Sequence, residues 1–168
     1  MSELIIKYKS PFGIITIQEK GGAIYRVYLP NQEPNDTSEI VGAGFSRPKP
    51  TELLETAKTQ FTEYFDGFRK VFDLPLSFDN FGAFHTRVYQ ELLKIPYGET
   101  VSYKQIAIGA GNPKAYRAVG MANNRNPMAI IVPCHRVIGS DGRLVGYAGG
   151  TEMKAGLLEL EKKIMRNQ

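Results

Sequence analysis

The chain has 168 residues, 42% of them hydrophobic, which is enough for one substantial core or two small ones. Its single cysteine and two histidines exclude an internal disulfide and leave a four-ligand zinc site short of donors. The net charge of +4 is unevenly placed: residues 1–80 hold 9 Lys and Arg against 11 Asp and Glu, whereas residues 81–168 hold 12 against 6. No apolar run approaches the roughly 20 residues needed to span a bilayer. Glu3 and Lys7 interrupt the first residues, so no signal peptide is expected. A metal-free, cofactor-free cytoplasmic protein, or a nuclear one in a eukaryote, is the expectation.

Three strand-like runs open the chain, Leu4 to Lys9, Ile14 to Gln18 and Ala23 to Leu29. Ser10-Pro11-Phe12-Gly13 and Lys20-Gly21-Gly22 supply the turns between them, which predicts an antiparallel meander. Residues 30–50 read as a long loop. A helix is predicted from Thr51, with Leu54, Ala57, Phe61, Tyr64 and Phe65 on one apolar face and a stop at Gly67. Val71 to Leu76 is expected to add a strand, and Ser77 to Gly82 to lead into a second unit.

That second unit begins with a predicted helix from Phe84 to Ile95, closed by Pro96-Tyr97-Gly98. Ser102 is placed to cap a short helix through Ala107, and Gly109-Ala110-Gly111 breaks it. Asn112 before Pro113 predicts another helix start, giving a helix-turn-helix. In this second helix Ala115, Ala118, Val119 and Ala122 repeat at i, i+3, i+4 and i+7 and face the domain, while Lys114, Arg117 and Asn124 point elsewhere. From Thr100 through Ser140 there is no acidic residue, yet Lys104, Lys114, Arg117, Arg125 and Arg136 all lie there. A stretch of one sign is the footprint of phosphate contacts.

Cys134 follows the apolar run Ala129-Ile130-Ile131-Val132 and precedes His135. A thiol becomes a strong nucleophile as the thiolate, and burial opposes that ionisation, so a base is needed. His135 is adjacent, but neighbouring side chains point apart unless water or a sharp turn at Pro133 links them. The imidazole in turn needs an orienting carboxylate, for which Asp141, Glu152, Glu159 and Glu161 are the candidates.

Pro133-Cys134-His135-Arg136-Val137 resembles the active-site signature of the O6-alkylguanine-DNA alkyltransferases. Val101-Ser102-Tyr103, Gly111-Asn112-Pro113-Lys114-Ala115, Arg117-Ala118-Val119-Gly120, Asn126-Pro127 and Gly146-Tyr147-Ala148-Gly149-Gly150 resemble further family segments in order. The resemblance implies an α+β fold, with an N-terminal ribonuclease H-like antiparallel sheet and helix over 1–78 and a C-terminal, winged-helix-like helical domain over 79–168. It implies direct repair of double-stranded DNA, with an alkyl group moved irreversibly from O6-alkylguanine to Cys134 and O4-alkylthymine as a further substrate.

By the same resemblance His135 would be the base through a bridging water and Glu161 its orienting carboxylate. Asn126 would brace the turn before the cysteine, and Tyr103 would donate to guanine N3. Arg117 would fill the gap left by the everted nucleotide, with the helix in the minor groove. Lys114, Ala118, Arg125 and Tyr103 would meet DNA, and Val137, Tyr147 and Ala148 would line the pocket. Ala148 stands where some relatives have Ser, and Ala129 where some have Pro. A monomer without metal is expected.

Two other classes compete. A non-catalytic lesion-binding protein would recruit other repair factors, but relatives of that kind lack the cysteine. A Cys-His-Glu hydrolase would leave the helix-turn-helix and Arg117 without a use.

Overall fold

The computed structural model describes residues 3–34, 39–42 and 49–168. The chain divides into two compact units, Met1–Ser77 and Phe78–Gln168.

In the first unit, β1 (Leu4–Ser10), β2 (Gly13–Lys20) and β3 (Ala23–Tyr28) form the antiparallel meander. Ser10 stabilises the first turn through its hydroxyl, which donates to Gly13 O at 2.7 Å and accepts from Phe12 N at 3.1 Å. A two-residue strand, β4 (Glu39–Ile40), pairs parallel with β1, giving the order β3-β2-β1-β4. It lies within the stretch expected to be loop. Helix α1 (Glu52–Phe65) is capped by Thr51, whose side chain accepts from Leu54 N. Leu54, Ala57, Phe61 and Tyr64 are fully buried on the expected face, in a core shared with Ile5, Ile15, Ile17 and Ile24.

The expected strand over 71–76 does not form. Its backbone is claimed elsewhere, since Asp73 N donates to the Gln60 side chain at 2.8 Å and Pro75 has no N–H to offer. Only Leu76 makes a bridge, parallel to Ile24.

The second unit contains α2 (Ala83–Leu93), β5 (Val101–Ser102), α3 (Tyr103–Gly109), α4 (Tyr116–Asn124), β6 (Val137–Ile138) and α5 (Thr151–Arg166). Ser102 and Gln105 form a reciprocal capping box at the start of α3. Helix α4 begins later than expected. Asn112 and Pro113 form a turn closed by Ala115 N to Asn112 O at 2.9 Å, and the helix starts at Tyr116 without a side-chain cap. Lys114 therefore lies on the turn before the helix. Parallel pairing of Val101 with Val137 and of Ser102 with Ile138 brings the start of α3 beside the segment that follows Cys134. Among the described residues, no helix is long and apolar enough to cross a membrane.

Candidate active site

The route from α4 to the thiol is a succession of tight turns. Asn126 is buried, and its side chain is bonded at both ends: Nδ2 donates to Val132 O at 2.7 Å and Oδ1 accepts from Met128 N at 3.0 Å. These two bonds clamp a turn in which Ile130 has φ +76°, a conformation that a β-branched residue adopts only under constraint. Pro133, at φ −81° and ψ 62°, is the centre of an inverse γ-turn closed by Cys134 N to Val132 O at 2.8 Å. A single 3-10 turn over Cys134–Arg136 follows. This sharp geometry puts Cys134 and His135 on one tight turn.

Cys134 is 3% exposed, and His135 and Glu161 are fully buried. Burial pushes the thiol up to about 11, against smaller opposing effects of Asn126 and Lys154. His135 Nε2 lies 2.8 Å from Glu161 Oε1. Glu161 comes from α5 and also accepts from Gly98 N at 3.0 Å and from Arg136, with Arg136 Nε at 3.0 Å from Oε2 and Nη2 at 2.9 Å from Oε1. Desolvation opposes ionisation of this carboxyl, but the bonds and charges around it prevail and hold it at about 2.

Those surroundings fix the imidazole's tautomer. Burial, helped by the charges of Arg136 and Lys154, lowers the His135 pKa against the opposing effect of Glu161, so the ring is neutral at neutral pH. Facing an ionised carboxylate, Nε2 must carry the proton, which leaves Nδ1 with a lone pair. Nδ1 is buried and has no hydrogen-bond partner among the described residues. It is therefore available as an acceptor.

Arg136 corrects the reading of the basic stretch. It is 6% exposed, donates to Ile95 O at 2.7 Å and packs over the Tyr97 ring at 5.5 Å, so it holds Glu161 and cannot reach phosphate. Lys104, Lys114, Arg117 and Arg125 are exposed. An open cavity of about 610 Å³ is lined by Tyr103, Lys104, Tyr116, Arg117, Gly120 and Val145, among others. Lys114 and Arg125 lie outside it, at the two ends of α4. Ala118 is partly exposed on α4. Val137 is fully buried, Tyr147 is 8% exposed with its hydroxyl unpartnered among the described residues, and Ala148 is partly buried.

Lys154 is a site residue that sequence reasoning missed. It is fully buried on α5, seven residues before Glu161 and hence on the same face. Its Nζ donates to Val145 O at 2.9 Å and lies 3.5 Å from the Tyr103 hydroxyl, which itself donates to Val145 O at 2.9 Å. The signal was a lysine inside the apolar repeat Met153, Leu157, Leu158. Among the described residues, no group of three His, Cys, Asp or Glu side chains could hold a metal ion.

Two family models match the chain: the ribonuclease-like domain of 6-O-methylguanine DNA methyltransferase over residues 4–78 and its DNA binding domain over residues 83–163. The chain is 47% identical over 155 residues to the constitutive methylated-DNA–protein-cysteine methyltransferase of Bacillus subtilis, covering 92% of each sequence. It is 54% identical over 115 residues to the methylated-DNA–protein-cysteine methyltransferase of Methanosarcina barkeri, covering 68% of this chain and 72% of that one. The crystal structure of Mycobacterium tuberculosis OGT in complex with DNA superposes with a TM-score of 0.85 at 40% identity, over 96% of this chain and 94% of that one. The chain belongs to the 6-O-methylguanine-DNA methyltransferase family.

Proposed function

We propose that this protein repairs alkylated DNA by direct reversal, taking the alkyl group of O6-alkylguanine onto Cys134 in one irreversible displacement. The observation that carries the reading is a buried thiol on the same tight turn as an imidazole whose Nδ1 is fixed as an acceptor by the ionised Glu161. Because the thiol is held protonated, its proton leaves as sulfur attacks the alkyl carbon, passing through a bridging water to Nδ1. The S–C bond forms as the C–O6 bond breaks. Negative charge developing on the purine is met by the Tyr103 hydroxyl, which turns from Val145 O to give its proton to N3. Lys154, 3.5 Å from that hydroxyl, returns a proton to it and leaves neutral guanine. Burial already lowers the lysine's hold on that proton.

Helix α4 presents the projecting Arg117 at the rim of the cavity, with the partly exposed Ala118 and with Gly120, which has no side chain. This thin face suits the minor groove, where Arg117 takes the place of the everted nucleotide and Lys114 and Arg125 meet phosphates. Val137, Tyr147 and Ala148, none of which lines the open cavity described above, are assigned to the alkyl pocket on the family resemblance. Every group in this scheme comes from one chain, so a monomer suffices. The protein acts where the genome lies, in the cytoplasm or, in a eukaryote, the nucleus.

Intact-protein mass after incubation with an O6-methylguanine oligonucleotide tests the proposal. One added methylene located on Cys134, with the reaction stopping at one equivalent, is expected. Repeated turnover would favour a hydrolase, and retained binding without a mass change would favour a lesion-recruiting protein.

A further inference from the structure

Asn123, near the end of α4, is 3% exposed, and neither its Nδ2 nor its Oδ1 has a hydrogen-bond partner among the described residues. Burying a polar group unpaired is costly, and folded proteins pair the great majority of such groups. Asn126 shows what the same segment does with a structural amide, since both ends of that side chain are bonded. Asn123 therefore has no structural use that its contacts reveal.

Its position suggests another use. It lies three residues beyond Gly120, where an added Cβ would stand 4.0 Å from the Tyr103 ring. The Asn123 amide is near enough to the Tyr103 phenol to ease its ionisation, although the contact is not aligned as a hydrogen bond. An unpaired donor and acceptor thus sit beside the hydroxyl assigned to guanine N3.

We propose that Asn123 is a specificity residue that reads the everted base. Its Oδ1 accepts from the 2-amino group next to N3 of O6-alkylguanine. In O4-alkylthymine the ring position matching N3 is the glycosidic nitrogen, which cannot accept from Tyr103, and a carbonyl oxygen replaces the amine. A rotated Asn123 amide donates Nδ2 to that oxygen, so one side chain serves both bases. This inference rests on the alkyl-transfer reading above.

The test compares the wild type with Asn123→Leu on oligonucleotides carrying O6-methylguanine, O6-methylinosine, which lacks the 2-amino group, or O4-methylthymine. Single-turnover transfer to Cys134 is followed by intact mass, alongside thermal melting. The wild type should prefer O6-methylguanine over O6-methylinosine by a factor that Asn123→Leu reduces roughly 3- to 10-fold, the worth of one hydrogen bond. The variant should also slow on O4-methylthymine, and its Tm should hold or rise because two unpaired groups are removed. An unchanged preference, or a lowered Tm with equal slowing on all three substrates, overturns the proposal. A wild type that transfers no methyl group would instead refute the function on which it rests.

Discussion

Replacing His135 by Gln separates base-assisted attack from attack by a thiolate formed beforehand. With the Cys134 thiol held at about 11, only roughly 3 in 10,000 molecules carry a thiolate at pH 7.5. If Nδ1 accepts the proton during attack, the wild-type rate is flat from pH 7 to 9, because the imidazole is neutral throughout. It falls at lower pH as the ring gains a proton. That fall lies below the ordinary histidine range, since burial lowers the His135 pKa. Asn126 and Glu161 remain in place in His135→Gln, and the amide can still bond Glu161, but no base remains. The rate at pH 7 should drop roughly 10²- to 10⁴-fold, the usual worth of a positioned general base. What remains should rise about tenfold per pH unit, following thiolate. Rapid-quench transfer from an O6-methylguanine oligonucleotide, buffered between pH 5.5 and 9.5, measures both profiles. A wild-type rate that climbs tenfold per unit from pH 7 to 9, or a flat profile in the variant, would refute the argument.

Arg117→Ala should slow repair of duplex DNA by roughly tenfold or more, while dealkylation of free O6-methylguanine base changes less than about twofold, because only the duplex leaves a gap to fill. Parallel mass assays on the two substrates decide it, and equal losses would remove Arg117 from that role. Arg136→Met strips Glu161 of a buried partner and should lower unfolding free energy by roughly 3–5 kcal/mol, read by urea denaturation. If the loss stays within the range of a surface ion pair, the arginine is not holding the carboxylate.

Local features were the legible ones. The Ser10–Gly13 turn, the helix start at Thr51 and the Ser102 cap each depend on residues within four positions of one another, so local side-chain chemistry declares them. The strand expected over 71–76 failed because Gln60, thirteen residues away from Asp73, takes the backbone that a strand would use. The parallel partner of β1 was equally non-local. At the site, the cysteine and histidine announced themselves by adjacency. The residues alone left four carboxylates open, and the family resemblance had to select Glu161, since 26 residues separate it from His135. Arg136 and Lys154 were misread or passed over for one reason: charge in a sequence suggests solvent, whereas both are buried against partners distant in the chain.

Both charged residues from α5 are also the last components of the site to be synthesised. Met1–Ser77 and the helix-turn-helix are synthesised before Lys154 and Glu161. Until α5 docks, His135 lacks the Glu161 carboxylate and the Tyr103 hydroxyl lacks the Lys154 ammonium beside it, so on the proposed mechanism the nascent thiol is unassisted. For a protein whose acceptor works once, this order of manufacture is protective. The acceptor becomes competent only once α5 has docked, so a chain that has not yet reached Glu161 is spared.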